Sequence, residues 1–398
     1  MKLRYGFLHY FIIGLLFLAA FSCSTDEDSV RDLDIEETDA SVDENEDDQE
    51  AEEDNQTEDE TEDSTEEEEP QDEEEENEDD TAEDPVISVP NGAVNTYGKL
   101  QVDGNKIYSE NTNEPVQLRG MSYFWSQWSE GAPYYNANVV KWLKDDWNIN
   151  IIRAAMGVED SGGYISNPEV EKQKVFAVVD AAIEQNIYVI IDWHSHHAEN
   201  YTDQAKTFFT EVAQKYGDYP NIIYETYNEP IFQGNNSAWS NILKPYHEEV
   251  ISEIRKYDTN NLIVCGTRSW SQAVSEVIGN EIDDDNVAYT LHYYSSTHFQ
   301  GEYVWQEAER AINAGLPLFV TEYGVSQADG GGVIMQDQAQ NWWKFLDQNK
   351  ISWCNWSISN KSEASAALQP WASVNGGWST NDLTQSGNMV RNEILAKN

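Results

Sequence analysis

Asn221-Ile-Ile-Tyr-Glu-Thr-Tyr-Asn-Glu-Pro230 is the stretch on which the reading of this chain turns. Its branched and aromatic side chains favour a buried strand, and Pro230 biases the residue before it away from helix, so Asn228 and Glu229 arrive at a strand's carboxyl end. Leu318-Phe-Val-Thr-Glu-Tyr-Gly324 repeats the arrangement, with Glu322 closing the run. Working outward, similar apolar runs place eight expected strands at 117–124, 150–156, 187–194, 221–228, 262–269, 287–294, 317–323 and 351–357. Amphipathic segments at 139–147, 169–185, 203–216, 245–256, 305–314 and 338–348 fill most gaps, and 388–396 closes the chain; only a short candidate, 272–278, follows the fifth strand. Parallel strands require crossovers of this kind.

The pattern predicts an α/β protein, a (β/α)8 TIM barrel preceded by a short β-hairpin over 97–114, where polar and apolar residues alternate around Asp103-Gly104-Asn105. A doubly wound sheet is the competing arrangement. It is disfavoured because Arg119-Gly-Met-Ser-Tyr123 carries bulky side chains where a dinucleotide needs bare backbone.

Of the 398 residues, 74 are acidic and 23 basic, a net charge of −51. Residues 26–84 hold 36 of the acids and a single Arg. Such a segment cannot bury enough apolar surface to offset its conformational entropy, and it reads as a long disordered acidic tether. Before it, Lys2 and Arg4 precede an apolar stretch, 7–21, that is short for a membrane span and ends at Ser22-Cys23. This is the pattern of a secretory signal, and Leu18-Ala-Ala-Phe-Ser-Cys23 resembles a bacterial lipoprotein box with Cys23 as the site of lipid attachment. The expected division is a signal peptide and lipobox over 1–23, an acidic linker over 24–90 and a catalytic domain over 91–398. Acidic residues soon after the Cys also resemble a surface-export signal of outer-membrane lipoproteins; calcium capture is the weaker alternative. Without signal and tether, 38 acidic residues still face 20 basic ones, a surface that repels nucleic acid. Cys265 and Cys354 lie in strand-like runs and read as buried free thiols.

The strand ends carry the chemistry: Arg153, Asp192-Trp193-His194, Asn228-Glu229, Trp270, His292-Tyr293-Tyr294, Glu322 and Trp356. In a barrel these ends face one basin. Acetal cleavage needs one carboxylic acid to protonate the departing oxygen and one carboxylate to meet the positive charge at the anomeric carbon, roles open to Glu229 and Glu322. Trp142, Trp147, Trp342 and Trp343 lie on helix faces and read as core, whereas Trp125, Trp128, Trp270, Trp356 and Trp371 follow strand ends, where flat rings can stack on sugars. A metal reading competes: His194 and His196 form a His-x-His that could present two imidazoles to zinc, with His197 and His292 nearby.

Gln117-Leu-Arg-Gly-Met-Ser122, Asn150-Ile-Ile-Arg153, Asp192-Trp-His194, Tyr227-Asn-Glu-Pro230, Leu291-His-Tyr-Tyr294, Val320-Thr-Glu-Tyr-Gly324 and Trp353-Cys-Asn-Trp-Ser-Ile-Ser-Asn-Lys-Ser-Glu363 together resemble glycoside hydrolase family 5, the cellulase family of retaining (β/α)8 glycosidases. The resemblance, running from about Asn95 to the C-terminus, implies Glu229 as general acid/base and Glu322 as nucleophile. It implies Asn228 as a partner of the sugar 2-hydroxyl, Arg153 and Tyr294 as holders of the nucleophile, and His194 and His292 as orienting groups. Trp356 matches the platform under the cleaved sugar. Trp128, Lys361 and Glu363 match contacts toward the non-reducing end, and Trp270 with Gln272 the leaving-group side. Phe124 stands where many members carry His, and Tyr323 where many carry Trp or Phe, departures that bear on which sugar fits.

The expected function is therefore an endo-β-1,4-glucanase acting by double displacement on a β-glucan, as a monomer without cofactor or metal, exported and lipid-anchored at an outer membrane or secreted. The guanidinium beside Glu322 should keep it ionised while Glu229 holds its proton near neutral pH. Mannan, xyloglucan or mixed-linkage glucan are alternative substrates for the same machinery, and a non-catalytic glycan-binding barrel is the alternative of another class.

Overall fold

The computed structural model describes residues 92–398. The expected signal, Cys23 and the acidic linker lie outside these residues.

The described chain opens with one helix that the sequence pattern did not suggest, α1 (Ala93–Tyr97), followed by the hairpin β1 (Leu100–Asp103) and β2 (Lys106–Ser109). The hairpin is antiparallel, pairing Leu100 with Ser109 and Asp103 with Lys106, and Gly104 turns it with a φ of 57°. Val94, Leu100 and Ile107 pack with Ile190, Ile223, Val264 and Phe319 in one buried cluster, and the Asn286 carboxamide ties the Val102 N–H and the Leu100 carbonyl. The hairpin thus plugs the amino-terminal end of the barrel.

The barrel strands are β3 (Arg119–Tyr123), β4 (Ile151–Gly157), β5 (Tyr188–His194), β6 (Ile222–Glu225), β7 (Leu262–Cys265), β8 (Val287–Thr290), β9 (Tyr293–Tyr294), β10 (Leu318–Gly324) and β11 (Trp353–Ile358). All neighbours pair in parallel, β11 pairs with both β3 and β10, and the ring closes. That closure separates a barrel from a doubly wound sheet. Strands β8 and β9 occupy one barrel position, interrupted at Leu291 and His292, and both pair with β10.

Outside the strands run α2 (Ala137–Trp147), α3 (Pro168–Glu184), α4 (Thr202–Tyr216), α5 (Lys244–Ile254), α6 (the single turn Arg268–Ser271), α7 (Tyr303–Asn313), α8 (Gln336–Asn349) and α9 (Gln385–Lys397). Their apolar faces meet the outward side chains of the strands in the larger core, which includes Trp147, Trp193, Trp342 and Trp343. The short candidate at 272–278 is a 3-10 turn, Val274–Val277, and α6 precedes it on residues partly expected to end the fifth strand. Strands β6 and β7 end earlier than the apolar runs suggest: beyond Glu225 the N–H groups of Asn228 and Glu229 donate to the carbonyls of Trp193 and Ser195, and β7 gives way to the turn Arg268–Ser271. Cys265 and Cys354 are buried and free.

Candidate active site

Strand alternation builds the site in layers. On β5, Val189, Ile191 and Trp193 turn outward into the helix layer, while Tyr188 and Ile190 turn inward, and Asp192 and His194 follow two and four residues above Ile190 on the same face. On β4 the inward set is Ile151, then Arg153, then Ala155. An apolar floor therefore gives way, one residue pair higher, to a charged layer.

Arg153 is the hub of that layer and is fully buried. Its Nε and Nη2 donate to the two oxygens of Glu225 at 2.7 and 3.2 Å, and Nη2 also lies 2.8 Å from Asp192 Oδ2 and 2.6 Å from Asn228 Oδ1. Nη1 donates to Glu322 Oε2 at 3.1 Å, and the Tyr294 hydroxyl donates to Glu322 Oε1 at 2.8 Å. Because the guanidinium only donates, it fixes the Asn228 carboxamide oxygen inward and leaves the N–H2 for a ligand. The register between β10 and β11 slips between Val320 and Tyr323. The slip lets consecutive residues, Thr321 and Glu322, both serve the interior, with Thr321 Oγ1 donating to Glu225 Oε1 at 2.6 Å.

Glu229 faces Glu322 from the β6 end. Its Oε1 is 2.9 Å from His292 Nδ1 and its Oε2 is 3.2 Å from His196 Nε2. One oxygen of each glutamate and a ring nitrogen of His292 lie within 4.8 Å of one another. Oxygens this close suit direct attack by one carboxylate beside a protonating partner, the arrangement of retaining glycosidases, more than the wider gap that holds a water for inversion.

The electrostatics of the unliganded site reverse the expected proton order. Burial alone would raise Glu229, but the hydrogen bonds and charges of His196 and His292 bring it down to about 2. Burial pushes Glu322 up and the Glu229 charge adds to this, against the pull of His292, Arg153 and Tyr294. Arg153 is shared among Asp192, Glu225 and Glu322, so its single charge is divided. Burial would lower His292, yet Glu225 and Glu229 raise it to about 9. Burial pushes His194 well below the ordinary imidazole value, and Arg153 pushes the same way.

The glutamates open into a cleft of about 200 Å³ walled by Trp125, His196, Tyr294, Trp356, Lys361 and Glu363. The Trp356 ring stacks on His194 at 5.2 Å, and Phe124 meets Trp356 at 5.3 Å with Lys361 Nζ over its face. Lys361 and Glu363 are paired at 2.7 Å. Trp270 stands apart, in a hollow of about 280 Å³ with His197, Ile231, Phe232 and Gln233; Gln272, two residues on and half-buried, lines neither cavity. Trp128 is 40% exposed and outside the cleft wall. Tyr323 turns away from the cleft, stacks on Tyr293 at 5.1 Å and accepts from the Trp343 indole, so this departure from the family pattern belongs to the core and does not touch a sugar site.

The four histidines do not assemble a zinc site. His194 Nδ1 is bonded to Asp192, His196 faces Glu229, His197 lies 3.7 Å from Glu199, and His292 sits between Glu229 and Thr321. Among the described residues the set close enough to ligate a metal is Glu229, His292 and Glu322, whose polar atoms already serve one another, Tyr294 and Arg153. Sequence reasoning missed Glu225, Thr321 and the contact of His196 with Glu229. A charged residue inside the apolar run 221–227 was the available signal for Glu225.

With this geometry in place, the likeness to known proteins has a physical referent. A sequence model of the cellulase family, glycosyl hydrolase family 5, matches residues 109–362. The chain belongs to that family. Among its family 5 relatives, endoglucanase A of Evansella cellulosilytica is 47% identical over 284 residues, covering 71% of this chain and 57% of the relative. Endoglucanase Z of Dickeya dadantii is 46% identical, covering 74% of this chain and 66% of the relative. This family 5 chain thus spans only 57% and 66% of the length of these two curated relatives. Among solved structures, a protein of Cytophaga hutchinsonii superposes with a TM-score of 0.73 at 51% identity, covering 76% of this chain and 96% of that one. The Thermobifida fusca endoglucanase catalytic domain gives 0.71 at 32% identity, covering 76% and 99%.

Proposed function

We propose that this chain is an endo-acting, retaining glycoside hydrolase that cleaves internal β-1,4-glucosidic bonds of cellulose or a related β-glucan. The observation that carries the reading is the pair Glu229 and Glu322, with oxygens within 4.8 Å of each other at the carboxyl end of a family 5 barrel. Glu322, held through both oxygens by Arg153 and Tyr294, is aimed as a nucleophile whose attack forms a glycosyl-enzyme. Glu229 protonates the leaving oxygen and then deprotonates the water that frees the sugar. The Asn228 N–H2 is free to donate to a sugar hydroxyl, and Trp356 offers an apolar face to the ring held between the carboxylates. Lys361 and Glu363 line one side of the cleft; Trp128, outside its wall, and Trp270 with Gln272, on the side of the separate hollow, are the more distant sugar contacts of this reading. All these groups come from one chain, and the chemistry asks for no cofactor.

A β-1,4-glucan as substrate is supported by the endoglucanases among the relatives and by the cellotetraose bound to the Thermobifida fusca catalytic domain. Parallel digestion of carboxymethylcellulose, mixed-linkage glucan, xyloglucan and mannan tests the reading. Internal cleavage of carboxymethylcellulose with initial release of the β-anomer is expected. Cleavage of mannan alone would overturn the substrate, and glucan binding without turnover would favour the non-catalytic barrel. Residues 1–23 are the basis for export and acylation at Cys23. Labelling with an alkyne fatty acid should mark the wild type and spare Cys23→Ser; equal labelling would remove the lipid anchor.

A further inference from the structure

His196 is unused in the mechanism above, although it touches the acid/base directly. Its backbone is fixed from two sides: the N–H donates to Glu159 Oε1 at 2.7 Å, and the carbonyl accepts from the Tyr227 hydroxyl at 2.8 Å. The ring stands in the cleft wall beside Trp125, with centroids 5.6 Å apart, and its side chain is 34% exposed. The ring lines the cleft, where an arriving sugar can push it aside.

Counting hydrogens around Glu229 gives this ring a task. Thr321 Oγ1 has one hydrogen, spent on the acceptor-only carboxylate of Glu225 at 2.6 Å. Toward His292 Nε2, 2.9 Å away, Thr321 can therefore only accept, and Nε2 carries a hydrogen. A proton on Glu229 Oε1 would point at His292 Nδ1 and away from any glycosidic oxygen. The useful proton sits on Oε2 while His292 Nδ1–H donates into Oε1. Among the described residues, the side chain in hydrogen-bond contact with Oε2 is His196, through Nε2 at 3.2 Å.

We propose that His196 is a positioning residue that loads the acid: its imidazolium shares a proton with Glu229 Oε2 in the empty cleft, and an arriving glycan displaces the ring while the proton stays on the carboxyl. The Nε2–H bond breaks, the Oε2–H bond forms, and His196 leaves as neutral imidazole. The proton then passes to the glycosidic oxygen as the bond to the leaving sugar breaks. The inference deepens the glycosidase reading and rests on it.

The surrounding charges fit the task. Burial opposes a charge on His196, but Glu229, Glu159 and Glu322 raise its proton affinity above the ordinary imidazole value. His194, its neighbour on β5, is buried and neutral, so it does not compete for the proton. Around Glu229 stand His292, Glu322 and, further back, Asp192, Tyr294 and His298. Each of these is more buried than His196 or faces another partner, and none but His292 also bonds Glu229.

The test is the pH profile of kcat/KM for His196→Gln on two substrates. On β-glucan the alkaline limb should move down by about one pH unit or more, because the free enzyme then holds that proton with the affinity of a carboxyl and no longer with the raised affinity of the His196 imidazole. On dinitrophenyl β-cellobioside, whose leaving group needs no proton, the value and profile should stay with the wild type. An unmoved limb on glucan, or equal losses on the two substrates, overturns the proposal. His196→Asn is the second variant, and thermal unfolding checks that either one folds. A wild type inactive on every β-glucan would overturn the parent reading, whereas an active wild type with an unmoved limb overturns only this one.

Discussion

Arg153 and Glu229 show how single residues acquire roles from their neighbours. Arg153 spends its donors on three carboxylates and Asn228, so it orients Glu322 more than it acidifies it. Glu229 is paired with imidazoles on both oxygens, and its protonation state is a property of that group. Replacing Glu229 with Ala should cut turnover of unactivated glucan by about a hundredfold to ten-thousandfold while sparing glycosides with good leaving groups, which need no proton. Glu322→Gln should abolish turnover on both and keep glucan affinity, as read by calorimetry. Equal losses for Glu229→Ala on the two substrate types would contradict its role. The same pair predicts a pH signature in stability. His292, raised from 6.5 to about 9, contributes stability that is full below pH 6.5 and lost as pH rises through 9. Glu229, lowered from 4.5 to about 2, contributes stability present above pH 4.5 and lost as pH falls toward 2. The gap in melting temperature between wild type and His292→Gln should therefore be widest between pH 4.5 and 6.5 and shrink toward pH 9.

At the scale of elements, two irregularities place what regular strands could not. The slip in β10 brings Thr321 and Glu322 to the interior together, and Gly324 at its end leaves room for the Tyr294 ring. A Cβ on Gly324 would lie 2.2 Å from Tyr294 Cδ1. Gly324→Ala should push the ring off Glu322 and lower kcat/KM by about tenfold to a hundredfold, with thermal unfolding measured alongside to separate this from loss of fold. In α6, Ser269, Trp270 and Ser271 all adopt left-handed φ values of 55–59°, costly for side-chain-bearing residues. Ser269 and Trp270 donate their N–H groups to Ile231 and Pro230, and Ser271 Oγ donates to the Asn228 carbonyl, so the turn holding Trp270 is stitched to the turn holding Glu229. Strand existence was legible in the sequence because burial on both faces writes continuous apolar runs. The slip and the left-handed turn were not, since neither Thr321-Glu322 nor Ser269-Trp270-Ser271 contains the glycine that usually announces such backbone.

For the whole molecule, the charge distribution separates an acidic leader from a barrel that carries every residue named in the chemistry. Deleting residues 26–84 should leave kcat/KM on carboxymethylcellulose within about twofold of the full chain; a large loss would give the segment a part in catalysis. The sequence by itself determined the order of strands and helices, the acidic character of the leader, and the two glutamates at strand ends, because periodicity and burial are local properties that a chain writes residue by residue. Only the tertiary structure decided that Glu225 and Thr321 lie beneath the site, that Tyr323 belongs to the core, and that His196 caps Glu229. It also decided which glutamate holds its proton less tightly in the empty cleft. Those outcomes depend on distances between groups far apart in the chain, and proton affinity follows the sum of nearby charges, which exists only once the barrel has closed.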